Sequence, residues 1–417
     1  MPEIARPTSS TSGRPLPCKV AVIWIDWYAY HVARFRGLMA APSLAGRVCG
    51  IELVGGIGVH AGLKFREDLP ANLPVHTLMP QSSWSEAGQL RLAYKLWLHL
   101  SDLNPEAVLV PGYYNLPAIA AALWAVLHRR TSILMTESTA EDHARGPWKE
   151  TAKSILVRSL FDFAVTGGIA HQRYLRQLGF DADRIGRFYD VVDNRSLQEA
   201  TALLRHRSAA EFGLPQTYFL FVGRLAEEKN VRGLLDVWLT YRELGGAWPL
   251  VLVGDGPEAG SLRDRAQQSN FAQDVYFAGH KSSRDLPLYY AFAGCFVLPS
   301  SREPWGLVVN EAMAASLPVI VSKRCGCTED LVHSPRNGFV FDPSRPGDLL
   351  ACLTRVSHAS SLELAGMRSS SAEIVALYSP GNFGLSVASL AHRGAFRKVN
   401  SLRGILKVIK ARFLGNS

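Results

Sequence analysis

The sequence predicts an α/β protein made of two tandem doubly wound units with parallel sheets, facing each other across a cleft. Short runs rich in Val, Ile and Leu alternate with longer helical patterns along most of the 417 residues. Such continuous apolar runs are what parallel strands need, because helices cover both faces of the sheet. The alternation breaks at the polar stretch NRSLQEATALLRHRSAAEFGLPQ and then resumes, which marks two domains. With 47% apolar and 19% charged residues, the chain has enough material for two cores and is not a disordered polymer.

Residues 1–17, MPEIARPTSSTSGRPLP, hold no apolar core before a cleavage signal and are expected as a disordered leader, not a secretion signal. The first unit, residues 18–195, has strand candidates at 20–25, 48–54, 107–110, 132–136 and 163–166. Between them Leu90, Ala93, Leu96, Trp97 and Leu100 are read as one helical stripe. The uncharged stretch 107–127 has the length of a membrane span, but Pro111, Gly112 and Pro117 divide it into strand, loop and helix. Residues 196–216 are expected as a linker. The second unit, 217–378, has strand candidates at 218–222, 249–253, 275–277, 295–298, 319–321 and 339–341. A helix over 379–398 is expected to return to the first domain, ahead of a basic amphipathic tail at 399–417.

The formal charge is +9, from 45 Lys plus Arg against 36 Asp plus Glu. Seven of the basic residues lie between 392 and 417, where there is no acid, so the rest of the chain carries only +2. That excludes a general nucleic-acid-binding surface, which needs cations throughout the folded body. In the tail, Val399, Leu402, Ile405, Leu406, Ile409 and Phe413 share a helical face opposite Arg403, Lys407, Lys410 and Arg412. This pattern suits docking on an anionic membrane or packing on the first domain. Six cysteines are too few for a disulfide scaffold and fit a reducing, cytoplasmic setting; the Cys325-Gly326-Cys327 trio reads as a tight loop.

In tandem doubly wound units, ligands bind beyond the carboxyl ends of the strands. Strand 218–222 runs directly into GRLAEEKN, which puts Gly223, Arg224 and Lys229 there. Gly223 permits close backbone approach, and the two cations suit a diphosphate, one as a bidentate guanidinium and one as a point charge. In VGDGPE the Gly-x-Gly is read as a strand-to-helix turn that Pro257 follows. The segment LPSSREPWGLVVNEAMAASLPVIVS presents Glu303 on a loop, begins a helix at Gly306 and sets Glu311 within apolar LVVNEAMAA. Free N–H groups at Gly306 and Leu307 suit a phosphate. A diphosphate repels carboxylates, so Glu303 and Glu311 each suit a pair of hydroxyls, one pair on a sugar and one on a ribose.

The Glu303-x7-Glu311 spacing within EPWGLVVNEAMAASLPVI resembles the retaining glycosyltransferases of family 4, which have the GT-B fold of two facing Rossmann-like domains. FVGRLAEEKN, LVGDGPE, VYFAGH, VLPSSRE, TEDLV and NGFVFDP match that family in order, so the resemblance is strong over 217–345 and weak over the first half. It implies that Arg224 and Lys229 bind a donor diphosphate, Glu303 holds donor-sugar hydroxyls, Gly306 and Leu307 amides meet phosphate, and Glu311 meets ribose. Glu303, Arg224 and Lys229 form the implied catalytic set, with Gly223 among the donor-binding residues. The family works without a metal or other cofactor. Asp181-Ala-Asp183 follows a helical segment and not a buried strand, and is read as a solvated turn rather than a metal-binding motif. Two positions depart from the family: Cys325-Gly326-Cys327 stands in place of a Gly-Gly loop, and WIDWYAYHVARFRGL replaces a glycine-rich loop after the first strand.

On the acceptor side, Trp24, Asp26, Trp27, Tyr28, Tyr30, His31, Tyr113, Tyr114, Thr136, Glu137 and Ser138 cluster near strand ends, and rings beside polar groups suit a carbohydrate. Some family members place a histidine after the fourth strand to contact the donor sugar. Here TESTAEDHAR offers Glu137, Asp142 and His143 for that place. The resemblance implies a hexosyltransferase-type enzyme using a nucleotide-diphosphate sugar and a saccharide or lipid-linked acceptor in polysaccharide or glycoconjugate biosynthesis. It would work in the cytoplasm, at the inner face of the plasma membrane if the tail docks there. The alternatives are a nucleotide-sugar 2-epimerase and a non-catalytic sugar-nucleotide-binding protein of the same fold.

Overall fold

The computed structural model describes residues 18–56, 73–140 and 146–394. The expected leader, the tail from 399, and Asp142 and His143 lie outside the described residues. In the first domain, strands β1 (Val20–Trp24), β2 (Val48–Val54), β3 (Val75–Met79), β4 (Ala107–Pro111), β5 (Thr131–Thr136), β6 (Phe163–Thr166) and β7 (Ile185–Gly186) form one parallel sheet. Their order is β3-β2-β1-β4-β5-β6-β7. In the second, β8 (Phe219–Val222), β9 (Leu250–Val253), β10 (Val275–Gly279), β11 (Cys295–Leu298), β12 (Val319–Ser322) and β13 (Gly338–Phe341) are ordered β10-β9-β8-β11-β12-β13, again all parallel. Each order reverses once, between β1 and β4 and between β8 and β11. At such reversals adjacent loops diverge and leave a crevice. The fold is GT-B.

Three details differ from the sequence reading. Residues 196–204, expected as linker, belong to the helix Asn194–Leu204, which Asp193 caps by accepting from the Ser196 N–H at 3.0 Å. Its sparse apolar side pairs with the helices Leu286–Phe292 and Leu307–Ala314, which supply the partner that its polar composition concealed. In the helix Gln89–Leu103 the buried positions are Leu92, Ala93, Leu96 and Leu100, and Leu90 is 78% exposed. The 3.6-residue period carries Leu90 to the outer side. Strand β3 was not expected because VHTLM is half-buried at the sheet edge and lacks a continuous apolar run.

The last described helix, Pro380–His392, packs on the first domain against the helix Ala29–Ala40. Glycines let the two backbones meet: a Cβ on Gly37 would lie 1.9 Å from the Pro380 carbonyl oxygen, and one on Gly384 would lie 2.1 Å from that of Gly37. The domains are also joined through Asp330, whose carboxylate is fully buried. It accepts from the Ile169 N–H at 2.8 Å, from Arg187 Nη2 at 2.6 Å and from the Tyr378 hydroxyl at 2.6 Å.

Candidate active site

The loops that follow β8, β11 and β12 are tied into one wall. The Ser301 N–H donates to the Glu228 carbonyl at 2.9 Å, joining the first two. An isolated parallel bridge pairs Glu303 with Cys325, and the Gly326 N–H donates to the Glu303 carbonyl at 3.0 Å. A Cβ on Gly326 would lie 1.9 Å from the Pro304 carbonyl oxygen, so the glycine that remains of the expected Gly-Gly loop is the one this close approach requires. Lys229 forms an ion pair and hydrogen bond with the Glu303 carboxylate, and both side chains are largely buried. Arg224 instead pairs with Glu228 and is more than half exposed. The two cations expected to converge are thus held by different acids, and only Lys229 touches Glu303.

Gly306 caps the helix Leu307–Ala314 at φ 101°, a left-handed conformation that strains any side-chain-bearing residue. One turn further on, Glu311 accepts from the Tyr290 hydroxyl at 2.8 Å. Its carboxyl is densely surrounded while part of the side chain stays open to a cavity of about 520 Å³, lined also by Arg284, Leu286, Pro287, Tyr290 and Tyr30. Burial pushes the Glu311 carboxyl up to about 7, an effect that the Tyr290 hydrogen bond partly offsets. Glu303 lines a different cavity, of about 340 Å³, so the two carboxylates face separate chambers.

The first domain contributes a third chamber, of about 600 Å³, at the reversal between β1 and β4. Trp24, Asp26, Tyr28, Tyr30, His31, Tyr113, Tyr114, Thr136, Glu137 and Ser138 line it together with Pro304 of the second domain. Trp27 does not: it is 1% exposed and packs edge-on against Trp24 and Phe35 in the core. His31 stacks on Trp24, with centroids 4.7 Å apart, and its Nδ1 accepts from the Tyr28 N–H at 3.3 Å. Burial, with the Arg34 charge adding to it, lowers its pKa well below the usual range, so the imidazole is neutral.

Beneath this chamber lies a pair that motif reading did not reach. Arg34 Nη2 and Asp190 Oδ1 are 3.1 Å apart, and neither side chain is exposed. The guanidinium lies 4.2 Å from the Tyr189 ring centroid and 5.1 Å from that of Tyr30. Burial raises the Asp190 pKa, the nearby Glu137 raises it further, and Arg34 opposes both. The Asp190 carbonyl accepts from Asn310 Nδ2 at 3.1 Å, and Asn310 Oδ1 accepts from Trp305 Nε1 at 2.8 Å. The floor of the first-domain chamber is therefore bonded to the helix that carries Glu311. His171 makes a second link: its Nδ1 accepts from the Gly168 N–H at 3.2 Å, so Nε2 carries the proton and donates to the Pro304 carbonyl at 3.0 Å. No sequence spacing signals these contacts, because Arg34 and Asp190 are 156 residues apart. Asp181 and Asp183 lie beside Arg184 and Arg393 at the surface.

Residues 205–368 match the family described as Glycosyl transferases group 1. An uncharacterized glycosyltransferase of Methanocaldococcus jannaschii is 35% identical over 137 residues, 33% of this chain and 35% of that protein. The matched segment thus spans about a third of that relative's length. Alpha-D-kanosaminyltransferase of Streptomyces kanamyceticus is 22% identical over 274 residues, 66% of this chain and 69% of that protein. Among solved structures, Anabaena HepE in complex with UDP and glucose superimposes with a TM-score of 0.64 at 18% identity, covering 94% of this chain and 100% of that one. The architecture is GT-B, and residues 205–368 carry the group 1 sequence pattern.

Proposed function

We propose that the protein is a retaining, metal-independent glycosyltransferase of the family 4 type. It transfers a sugar from a nucleotide-diphosphate donor to a saccharide or lipid-linked acceptor in polysaccharide or glycoconjugate biosynthesis. One observation carries this reading: the stretch 303–311 reaches all three chambers, through Glu303, Pro304 and Glu311. A donor lying along it has ribose at Glu311, diphosphate at the Gly306–Leu307 amides with Gly223, Arg224 and Lys229, and sugar at Glu303. The acceptor then enters over Tyr30, His31 and Glu137. The complex of HepE with UDP and glucose, and the glycosyltransferase names of the relatives, support the assignment.

In the reaction, the bond from the anomeric carbon to the departing diphosphate oxygen breaks as the acceptor oxygen bonds that carbon from the same face. The diphosphate oxygen takes the acceptor proton. The protein positions both partners and stabilises charge on the leaving group through Lys229, Arg224 and the helix N-terminus, so no side-chain nucleophile is needed. The basic 399–417 segment holds the enzyme at the cytoplasmic face of an anionic membrane in this reading. The test is a panel of nucleotide sugars, scored first by thermal shift and then by nucleoside diphosphate release with acceptor glycans. Release that falls at least a hundredfold in Arg224→Ala and in Glu303→Ala is expected. Binding without release would instead favour a non-catalytic sugar-nucleotide-binding protein.

A further inference from the structure

Exposed leucines that stand singly, such as Leu203, Leu244 and Leu362 at or beside three separate helices, are ordinary on a protein surface. One face of the first domain is different. On the helix Gln89–Leu103, Leu90, Tyr94 and Leu98 are 78%, 65% and 50% exposed. Side chains four residues apart are neighbours on a helix, so these three make one ridge. The inner side of the same helix is filled by Leu92, Ala93, Leu96 and Leu100, which leaves the ridge as a second apolar face. Arg91 and Lys95 form a row beside it, about 100° round the helix from Leu90 and Tyr94. Among the described residues neither makes an ion pair, and Asp102, near the far end, is the only acid of the helix.

The ridge leads to the mouth of the first-domain chamber. The Leu116 N–H donates to Gln89 Oε1 at 3.1 Å, which ties the start of the ridge helix to that of the helix Leu116–Leu127, just past Tyr114. Tyr114 lines the chamber and is 71% exposed. Trp148, in the first turn of the helix Pro147–Leu160, is 86% exposed, with Lys149 next to it in the chain. In a parallel α/β sheet the helices begin at the carboxyl ends of the strands, so Leu90, Tyr114 and Trp148 stand at the end where the chamber opens. An apolar ridge flanked by unpaired cations, tyrosine and tryptophan matches the boundary between lipid headgroups and acyl chains. Leucines enter the acyl region, rings stay at the headgroups and cations meet anionic phosphate. A second copy of the chain fits less well, because a symmetric contact would set Arg91 and Lys95 against their own counterparts.

We infer that the ridge of Leu90, Tyr94 and Leu98, with Arg91, Lys95 and Trp148, docks the first domain on an anionic bilayer and turns the mouth of its chamber toward the lipid. This contact is separate from the one assigned to 399–417. It does not depend on sugar transfer, which stands or falls on the nucleotide-sugar panel, so vesicle binding tests it without a donor. Sedimentation of the full chain would compare vesicles of equimolar phosphatidylglycerol and phosphatidylcholine with vesicles of phosphatidylcholine alone. Leu90→Ser, Tyr94→Ser and Leu98→Ser together should lower partition onto the mixed vesicles about tenfold. Arg91→Gln with Lys95→Gln should lower it about tenfold at low salt and leave it close to the parent's at high salt, where screening removes the contribution of charge. These side chains lie outside the core, so melting temperatures should move by only a few degrees. Trp148 gives a local readout: the emission that Trp148→Phe removes should shift to the blue on mixed vesicles and be quenched by brominated lipid. No binding by the parent, parent-like binding by the apolar variant, or Trp148 emission untouched by brominated lipid overturns the inference. A parent dimer that the apolar variant converts to a monomer assigns the ridge to a second copy of the chain and overturns it too.

Discussion

Glu311 gives the sharpest test of the site, because one carboxyl links stability, pH and nucleotide recognition. In the unfolded chain it ionises near its ordinary value of 4.5, and in the folded protein near 7. A pKa raised on folding contributes stability that is complete below about 4.5 and is lost as pH rises through about 7, so above 7 the protein carries the full cost of a buried charge. At about 1.36 kcal/mol per pH unit, the gap between the two values sets an upper bound of about 3.4 kcal/mol. Glu311→Gln keeps an acceptor for the Tyr290 hydroxyl and cannot ionise. Urea unfolding at pH 5 should show the variant within about 1 kcal/mol of the parent, and at pH 8.5 more stable by about 2–3 kcal/mol. The same charge serves the assigned ribose contact, so nucleotide affinity of the parent should strengthen between pH 6 and 8, and that of the variant should be weak and flat. Equal stability differences at both pH values, or nucleotide binding independent of pH in the parent, would refute the reasoning.

Arg34→Ala should destabilise the protein by about 3–5 kcal/mol in denaturant titration, because it strands the Asp190 carboxylate. Pairing Arg34→Met with Asp190→Leu should recover most of that loss. Gly326→Ala drives a methyl into the Pro304 carbonyl. It should cut transfer more than tenfold in a kcat/KM assay, with the melting temperature changed by only a few degrees. Asp330→Ala leaves Arg187, Tyr378 and the Ile169 N–H without their shared acceptor. A loss of about 3 kcal/mol and faster limited proteolysis near residue 190 are expected.

The second domain was legible because its strands are short and wholly buried, and a continuous apolar run such as CFVL or VIVS needs no knowledge of its neighbours. The edge strand β3 and the two-residue β7 carry too little of that pattern to be read alone. The helix Asn194–Leu204 was hidden for a related reason: its stability comes from packing on the helices Leu286–Phe292 and Leu307–Ala314, and its own composition is polar. In the candidate site, motif spacing singled out Glu303, Gly306 and Glu311 but not that Glu303 and Glu311 line separate chambers, whose walls come from elements distant in sequence. Arg34, Asp190 and His171 were invisible because each matters only through a partner brought from another element. Leu90 went to the wrong side because hydrophobicity alone does not reveal which face of a helix looks outward.

The return of the helix Pro380–His392 to the first domain means that, among the described residues, the chain passes between the domains twice, once ahead of the helix Asn194–Leu204 and once near Tyr378. Asn194 fastens these passages to each other, donating from Nδ2 to the Val375 carbonyl at 3.0 Å and to the Tyr378 carbonyl at 3.1 Å. A body hung on one cord can twist in any direction, but a body hung on two adjacent cords swings chiefly about the line through them. A rigid opening of the cleft on these passages would be a swing about the seam at Asn194, and it would first have to break the bonds that Asp330, Asn310 and His171 make between the domains.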